Sequence, residues 1–513
     1  MNYAIKTDCI CTATVIYRDS SEQTVDADFA LPDYCPDIRK ILKCCIEPQI
    51  DSKNIVGDRL EITGSSLVRV IYVDAIKDSV RCAEQTYPFE ITANLPDTPQ
   101  SAVITTDIRV SYLNCRALSP RRLNIHGAFI VDARVTDKGE QRICNHIKGE
   151  DIQQKKLTVG YSCLKGISQQ QFAVTEALER SQNTPAVQAV VRSDIRAVSR
   201  EHSFVSGKLM YKGELLVKLL YLSDLDSGKL ETLEYNIPFS QVIGIEGVED
   251  GSELALSVEV MNSAVALRTE IGFDDPLPVL SARLCVTVLS YKTQDAMLVT
   301  DCYSTSYKTQ TERSQCTLPL LTSVVNESVV EKSNVDLTDG SISKVIDVWC
   351  EKGGAVCEAV KGMAVLRGKY NICVLALDAA GEVVYTERTM EYSRELKQID
   401  TGRCGLECRV SAECISTSFR FSSEKRIEVR AELLVNGELY ETTRVNAVTS
   451  ASADEAAPIT RDGGASLILY YAKKGEDIWS IAREYSTGAE RVRLENDLSD
   501  DILDQDMMIM LPM

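Results

Sequence analysis

The sequence predicts a mainly β, multidomain protein: three repeated β-rich modules with minor helix, then a small βααβ domain. Three observations lead there. The chain has 513 residues, too many for one core at roughly 100 to 200 residues per domain. Its apolar residues alternate with polar ones over most of its length, the period of half-buried strands. A recurring unit occupies the first 450 residues, and a helical period replaces it in the last fifty.

The repeat is legible as "LEITGSSLVRVIYVD", "LMYKGELLVKLLYLSD" and "AVLRGKYNICVLALD", aligned on Gly64, Gly213 and Gly368. Eight residues later stand Tyr72, Tyr221 and Ala376, and ten later Asp74, Ser223 and Asp378. Glu84, Glu234 and Glu387 each precede Pro88, Pro238 and Glu391 by four. Gly64 and Gly368 are 304 apart, and the same offset carries Arg122–Ile125 onto Arg426–Val429. The middle copy loses register at "IGFDDPLP" (271–278), read as an inserted loop. These markers divide the chain into 1–155, 156–310 and 311–450, a flexible tether at 451–464, and 465–513.

Within a copy, Val68, Val70 and Tyr72 share one strand face, and Leu67, Arg69 and Ile71 the other. Turn signals at "DAIKDS", "SDLDSG" and "DAAG" make each copy a hairpin. The glycines are read as turns or bulges. In "YCPDIRKILKC", Ile38, Ile41 and Leu42 fall on one side of a short helix entered near Pro36.

In the last segment, Leu467–Tyr471 reads as a strand and Lys473-Lys474-Gly475 as a turn. Ile478, Ile481, Ala482 and Tyr485 then recur at helical spacing, with Trp479 beside them to fill a small core. Gly488 ends that helix; a second runs from about Ala489 to Asn496 with Val492 and Leu494 on its buried side. "MMIML" closes as a strand, ended by Pro512.

Bulk properties exclude some functions. A net charge of −19 repels nucleic-acid phosphate and anionic membranes. The first residues show no signal-peptide pattern, and no run approaches the roughly 18 apolar residues of a membrane span, so a cytoplasmic location is expected. The 18 cysteines are dispersed with no C-x-x-C, and only His126, His146 and His202 accompany them; reduced, buried thiols are expected, with no metal and no cofactor. Arg116, Arg121 and Arg122 are compatible with anion binding, but a turn held by surface pairs is favoured. Asp33 and Asp37, beside Pro32 and Pro36, read as turn formers before paired carboxylates. No P-loop, dinucleotide fingerprint, nucleophile elbow or zinc-protease motif occurs, and no enzyme is expected.

Two resemblances sharpen these expectations. Lys474-Gly475, Trp479 to Ala482, Tyr485, Asn496 with Leu498, and Ile509 to Pro512 make residues 465–513 similar to the LysM domain family. That resemblance implies a partner- or glycan-binding surface at Lys474, Gly475, Glu476, Asp477 and Ile478 together with Asp497, Leu498, Ser499 and Asp500. It places Trp479, Ile481, Tyr485 and Asn496 in the domain core. LysM domains generally bind N-acetylglucosamine glycans; the carboxylates here, Asp501 included, suit a basic protein partner better.

"LPDYCPDIRKIL", "RVIYVD", "EQTYPF" and "YLNCRALSPRRLNIHGA" resemble the SPOCS domain of spore-forming Firmicutes. Tandem SPOCS-type modules followed by LysM resemble a clostridial spore-coat morphogenetic family. That resemblance implies a non-enzymatic sporulation scaffold on the mother-cell side of the forespore surface. Its LysM domain would dock the coat's basement-layer ATPase, of the stage IV sporulation protein A type, and possibly other coat proteins. The alternative is a peptidoglycan-binding LysM protein of the cell wall or cortex.

Overall fold

The computed structural model describes all residues except 182, 206, 250, 270–274, 338–341, 399–404, 424, 460–466 and 513. Among the described residues it is strand almost throughout. The first unit comprises β1 (Ala4–Ala30), β2 (Ile38–Val56), β3 (Arg59–Asp74), β4 (Val80–Asn94), β5 (Val103–Ser119) and β6 (Arg122–Lys148). Its sheets are antiparallel, in order β1-β6-β5 and β2-β3-β4.

Six strands follow in the same topology: β7 (Ile152–Ala177), β8 (Ala189–Val205), β9 (Lys208–Asp224), β10 (Lys229–Gly244), β11 (Glu253–Arg268) and β12 (Leu277–Ser304). They pair as β7-β12-β11 and β8-β9-β10. A further six do likewise: β13 (Tyr307–Asp336), β14 (Ile342–Val360), β15 (Met363–Asp378), β16 (Val383–Gln398), β17 (Gly405–Ser423) and β18 (Arg426–Pro458). These pair as β13-β18-β17 and β14-β15-β16. The chain closes with β19 (Leu467–Ala472), α1 (Ile478–Glu484), α2 (Ala489–Glu495) and β20 (Met507–Pro512), β19 pairing antiparallel with β20.

The two sheets of a unit face each other over one core. In the first, Leu60, Ile62, Val68, Val70 and Tyr72 of β3 meet Leu123, Ile125, Phe129 and Val131 of β6. The opposite face of β3 is also buried: Ile71 and Val73 pack with Leu220 and Leu222 of the second unit and Trp349 and Leu375 of the third. The three units therefore share a core along one axis. The long strands build further shared cores, one joining Ile10 and Ile143 to Tyr161 and Leu298 and to Leu318 and Val445. Their length, up to 33 residues in β18, has this reason: one half serves the unit's own sandwich and the other the shared axis. The first residues meet the end of β18, with Met1 N donating to Ala453 O at 2.8 Å and Tyr3 N to Ala451 O at 3.0 Å.

Several expectations are corrected. The minor helix at "YCPDIRKILKC" is a turn followed by β2. Register shifts between Ile38 and Lys40 and between Ile41 and Lys43 insert bulges, and each extra residue stretches the strand period until it imitates a helix. Gly64, Gly213 and Gly368 are mid-strand, each opposite an aromatic: Phe89, Phe239 and Tyr392. A Cβ at any of the three would collide with that ring, so the glycine is the recess in which the aromatic lies. The bulges lie across from them, beside Ile50, Ser199 and Ala355.

Ala451 to Pro458, assigned to the tether, extend β18 along β13, and residues 460–466 lie outside the described residues. Residues 271–274 of "IGFDDPLP" also lie outside them; Leu277 and Pro278 begin β12. The expectation of reduced thiols fails at Cys357 and Cys408, which form a disulfide between β14 and β17.

Candidate functional sites

The hairpin between β3 and β4 turns on Asp74, whose carboxylate accepts from Ile76 N (2.9 Å), Lys77 N (2.6 Å) and the Ser79 hydroxyl. Asp378 does the same with Ala380 N and Glu382 N. In the second unit Asp224, not Ser223, takes this part, accepting from Asp226 N and Ser227. Arg121 clamps the "LPDYCPD" loop through Pro32 O, Cys35 O and the Asp37 carboxylate, each at 2.9 Å, and Arg122 pairs with Asp28. Both arginines are thus structural, and Asp37 serves Arg121.

In the C-terminal unit, Ile478, Ile481, Ala482 and Val492 are buried with Ile509 and Leu511. Ile478 is therefore core and not binding surface, and Leu498 packs on the same core. Leu494, expected inside, is 71% exposed. Asn496 ties α2 to β20, donating to Val492 O and Met510 O and accepting from Met510 N. Tyr485 packs edge-on against Tyr470 at 5.6 Å.

The two expected loops do meet: Gly475 N donates to Leu503 O, Leu503 N to Glu476 O, and Ile478 N to Asp501 O. Gly475, at φ +90°, supplies the left-handed turn. Lys474, Gly475, Asp497, Ser499 and Asp500 are exposed around it.

Part of this surface is taken by the chain itself. Asp477 accepts from Lys155 of β7 at 3.2 Å. Trp479 Nε1 donates to Asp301 of β12 at 2.8 Å, its ring edge-on to Tyr303 at 4.9 Å. Arg483 reaches the same carboxylate at 2.7 Å, and Tyr303 donates to Thr487 O at 2.7 Å. Trp479 thus belongs to a seam with the second unit more than to a private core. The outer face of the β19–β20 ribbon is uncovered: Leu467, Leu469, Tyr471, Met508 and Met510 are all exposed apolar residues.

A second candidate is a cavity of about 1420 Å³ between the three units. It is lined chiefly from β2, β5, β8, β11, β14 and β17, and many of its residues are charged. Register relates several of them, and charged residues beside the cavity, to one another. Lys43, Arg192 and Asp347 occupy one equivalent position, opposite Ile71, Leu220 and Leu375. Glu47, Arg196 and Glu351 occupy a second, opposite Leu67, Leu216 and Asn371. Arg69, Lys218 and Cys373 occupy a third, each opposite one of Glu84, Glu234 and Glu387.

Arg69 is satisfied within its own unit by Glu47 and Glu84, both at 2.6 Å. The third unit has a cysteine there, and Lys43 of the first unit enters instead, 2.9 Å from Glu351 and 2.8 Å from Glu387. Lys218 of the second unit meets Asp347 of the third at 2.7 Å, and Arg196 meets Glu413 at 2.9 Å. Arg192 stacks 4.4 Å over the Trp349 ring. Charges of opposite sign are thus dealt out between units, which distinguishes one junction from the next.

The titration behaviour follows. Burial opposes the Lys43 charge, but Glu351, Cys373 and Glu387 outweigh it and push its pKa up. Burial raises Asp347 against the pull of Lys218 and Arg192. Burial, then the Glu351 charge, pushes the Cys373 thiol up. Glu351, Cys373 and Glu387 also form a cluster of metal-ligating types, but the Lys43 ammonium is bonded to both carboxylates. Lys43 and Asp347 find their partners across unit boundaries, and the sequence read one unit at a time held no signal for it.

No curated protein and no solved structure matches the chain. No helix among the described residues is long and apolar enough to cross a membrane. The family model described as SipL, SPOCS domain, matches residues 37–118 and 186–267. The first match runs from the start of β2 to the end of β5, and the second spans β8 to β11, the same four strands one unit later. Two segments at equivalent places in the fold thus match the SPOCS domain, and they support a SipL-like family relationship for this chain.

Proposed function

We propose that this protein is a non-enzymatic, sporulation-associated scaffold. Its three units would be SPOCS-type modules in a closed arrangement, and its C-terminal unit a LysM domain used to dock protein. The observation that carries the reading is the match of two SPOCS segments to the same four strands in successive units. The recurrence of that topology in β13–β18 supports extending it to the third.

The uncovered ribbon face of Leu467, Leu469, Tyr471, Met508 and Met510 favours protein docking over glycan binding. Asp477, in a loop where a LysM domain would take sugar, is engaged with Lys155. The partner this reading names is the coat basement-layer ATPase of the stage IV sporulation protein A type, at the mother-cell face of the forespore.

The test is co-precipitation of the full chain with that ATPase, alongside sedimentation with peptidoglycan. Capture of the ATPase, lost in Leu469→Ser/Tyr471→Ser, supports the proposal. Saturable peptidoglycan binding without ATPase capture would replace it with the cell-wall alternative.

A further inference from the structure

One group of charges in the central cavity has no place in the pairing scheme. Arg18 on β1 and Arg134 on β6 stand directly opposite each other in the antiparallel ladder. Like charges in that relation repel. Both line the cavity, as does Arg409 of β17 in the third unit.

Three of the surrounding acids are bonded to other groups. Asp132, the nearest on β6, is bonded to Arg109 and Ser20. Glu407 accepts from Arg409 at 2.9 Å, and Glu438 accepts from the Tyr440 hydroxyl at 2.8 Å. Among the described residues neither Arg18 nor Arg134 has an ion-pair partner, and the Arg134 Nε is buried without a hydrogen bond. Burial first, then Arg409 and Arg18, lowers the Arg134 pKa, and the charges of Glu407 and Glu438 offset this only in part.

We infer that Arg18, Arg134 and Arg409 form a binding site for a phosphate-class oxyanion in the central cavity. A guanidinium presents a planar fork of donors that fits two oxygens of such an anion. Arg18 and Arg134 offer two forks without ion pairs, one with an orphaned N–H, while Arg409, held by Glu407 and 4.7 Å over the Tyr440 ring, adds positive charge beside them; the cavity has room for a larger group attached to the anion. Because β1 and β6 belong to the first unit and β17 to the third, the anion would also brace that junction.

The probe is inorganic phosphate, titrated into the full chain by calorimetry at fixed ionic strength. Wild type is expected to bind saturably with one site. Arg134→Gln should weaken binding by about tenfold or more. Arg18→Gln, at an exposed residue whose loss leaves the core intact, should weaken it too. Arg426→Gln, outside the cavity and paired with Asp336, should leave it unchanged. Absence of saturable phosphate binding in wild type overturns the inference. So does undiminished affinity in Arg18→Gln together with Arg134→Gln or, should the latter not fold, in Arg18→Gln alone.

Discussion

The Lys43 ammonium of the first unit lies 2.8 Å from the Glu387 carboxylate of the third, where the first unit's own sheet pairs Arg69 with Glu84. An ion pair made inside one repeat is made between repeats in another. Such an exchange converts similar modules into neighbours that are not interchangeable.

Removing Lys43 leaves Glu351 and Glu387 facing each other without a cation. Lys43→Met is expected to destabilise the protein by about 2 kcal/mol, less than a fully buried pair would lose because both carboxylates are partly exposed. A raised lysine pKa stabilises below the unfolded value of 10.5 and loses that contribution as pH rises through the higher folded value. Urea unfolding should therefore show the gap between wild type and variant constant near neutrality and closing in strong alkali.

Gly64→Ala should cost about 1–3 kcal/mol, since its methyl would enter the space of the Phe89 ring. The double variant Gly64→Ala/Phe89→Leu should recover part of the loss. A double-mutant cycle by chemical denaturation with no coupling would place the glycine's role elsewhere.

Asp74 sets an acid limit on the β3–β4 hairpin. Burial opposes its charge, but bonds from Lys77, Ser79, Ile76 and Arg81 hold the pKa at about 2, below the ordinary 3.8. A depressed carboxylate stabilises above its unfolded value and loses the contribution as pH falls through the folded one. Asp74→Asn should therefore be less stable by about 2 kcal/mol near neutrality. The difference should vanish between about pH 4 and pH 2 in thermal melts.

Asp301 gathers Trp479, Arg483 and Arg313 at the seam with the C-terminal unit. Asp301→Ala should raise hydrogen exchange in α1 and alter Trp479 fluorescence while leaving exchange in β3 and β9 unchanged. Equal exchange in both proteins would show that the Tyr303 contacts alone hold the seam.

What the sequence shows of the fold is what local periodicity carries. Alternation identified the strand faces of Val68, Val70 and Tyr72, and the offset of 304 placed Arg122 and Arg426 at the starts of β6 and β18. The change of period after Asp477 marked α1, and the order strand, helix, helix, strand follows from it. The same reasoning failed where bulges in β2 stretched the strand period and where Ala451 to Pro458, small and polar enough for a linker, filled a strand beside β13.

The sequence by itself determined element type where its period ran unbroken, because side-chain direction follows from backbone geometry over a few residues. Only the tertiary structure decided the partners of the charges, the ring over each glycine, the Cys357–Cys408 bridge and the seat of Trp479. Each of those joins positions far apart in the chain or in different units. A contact of that kind leaves no periodic trace, since its energy depends on which surfaces folding brings within a few ångströms.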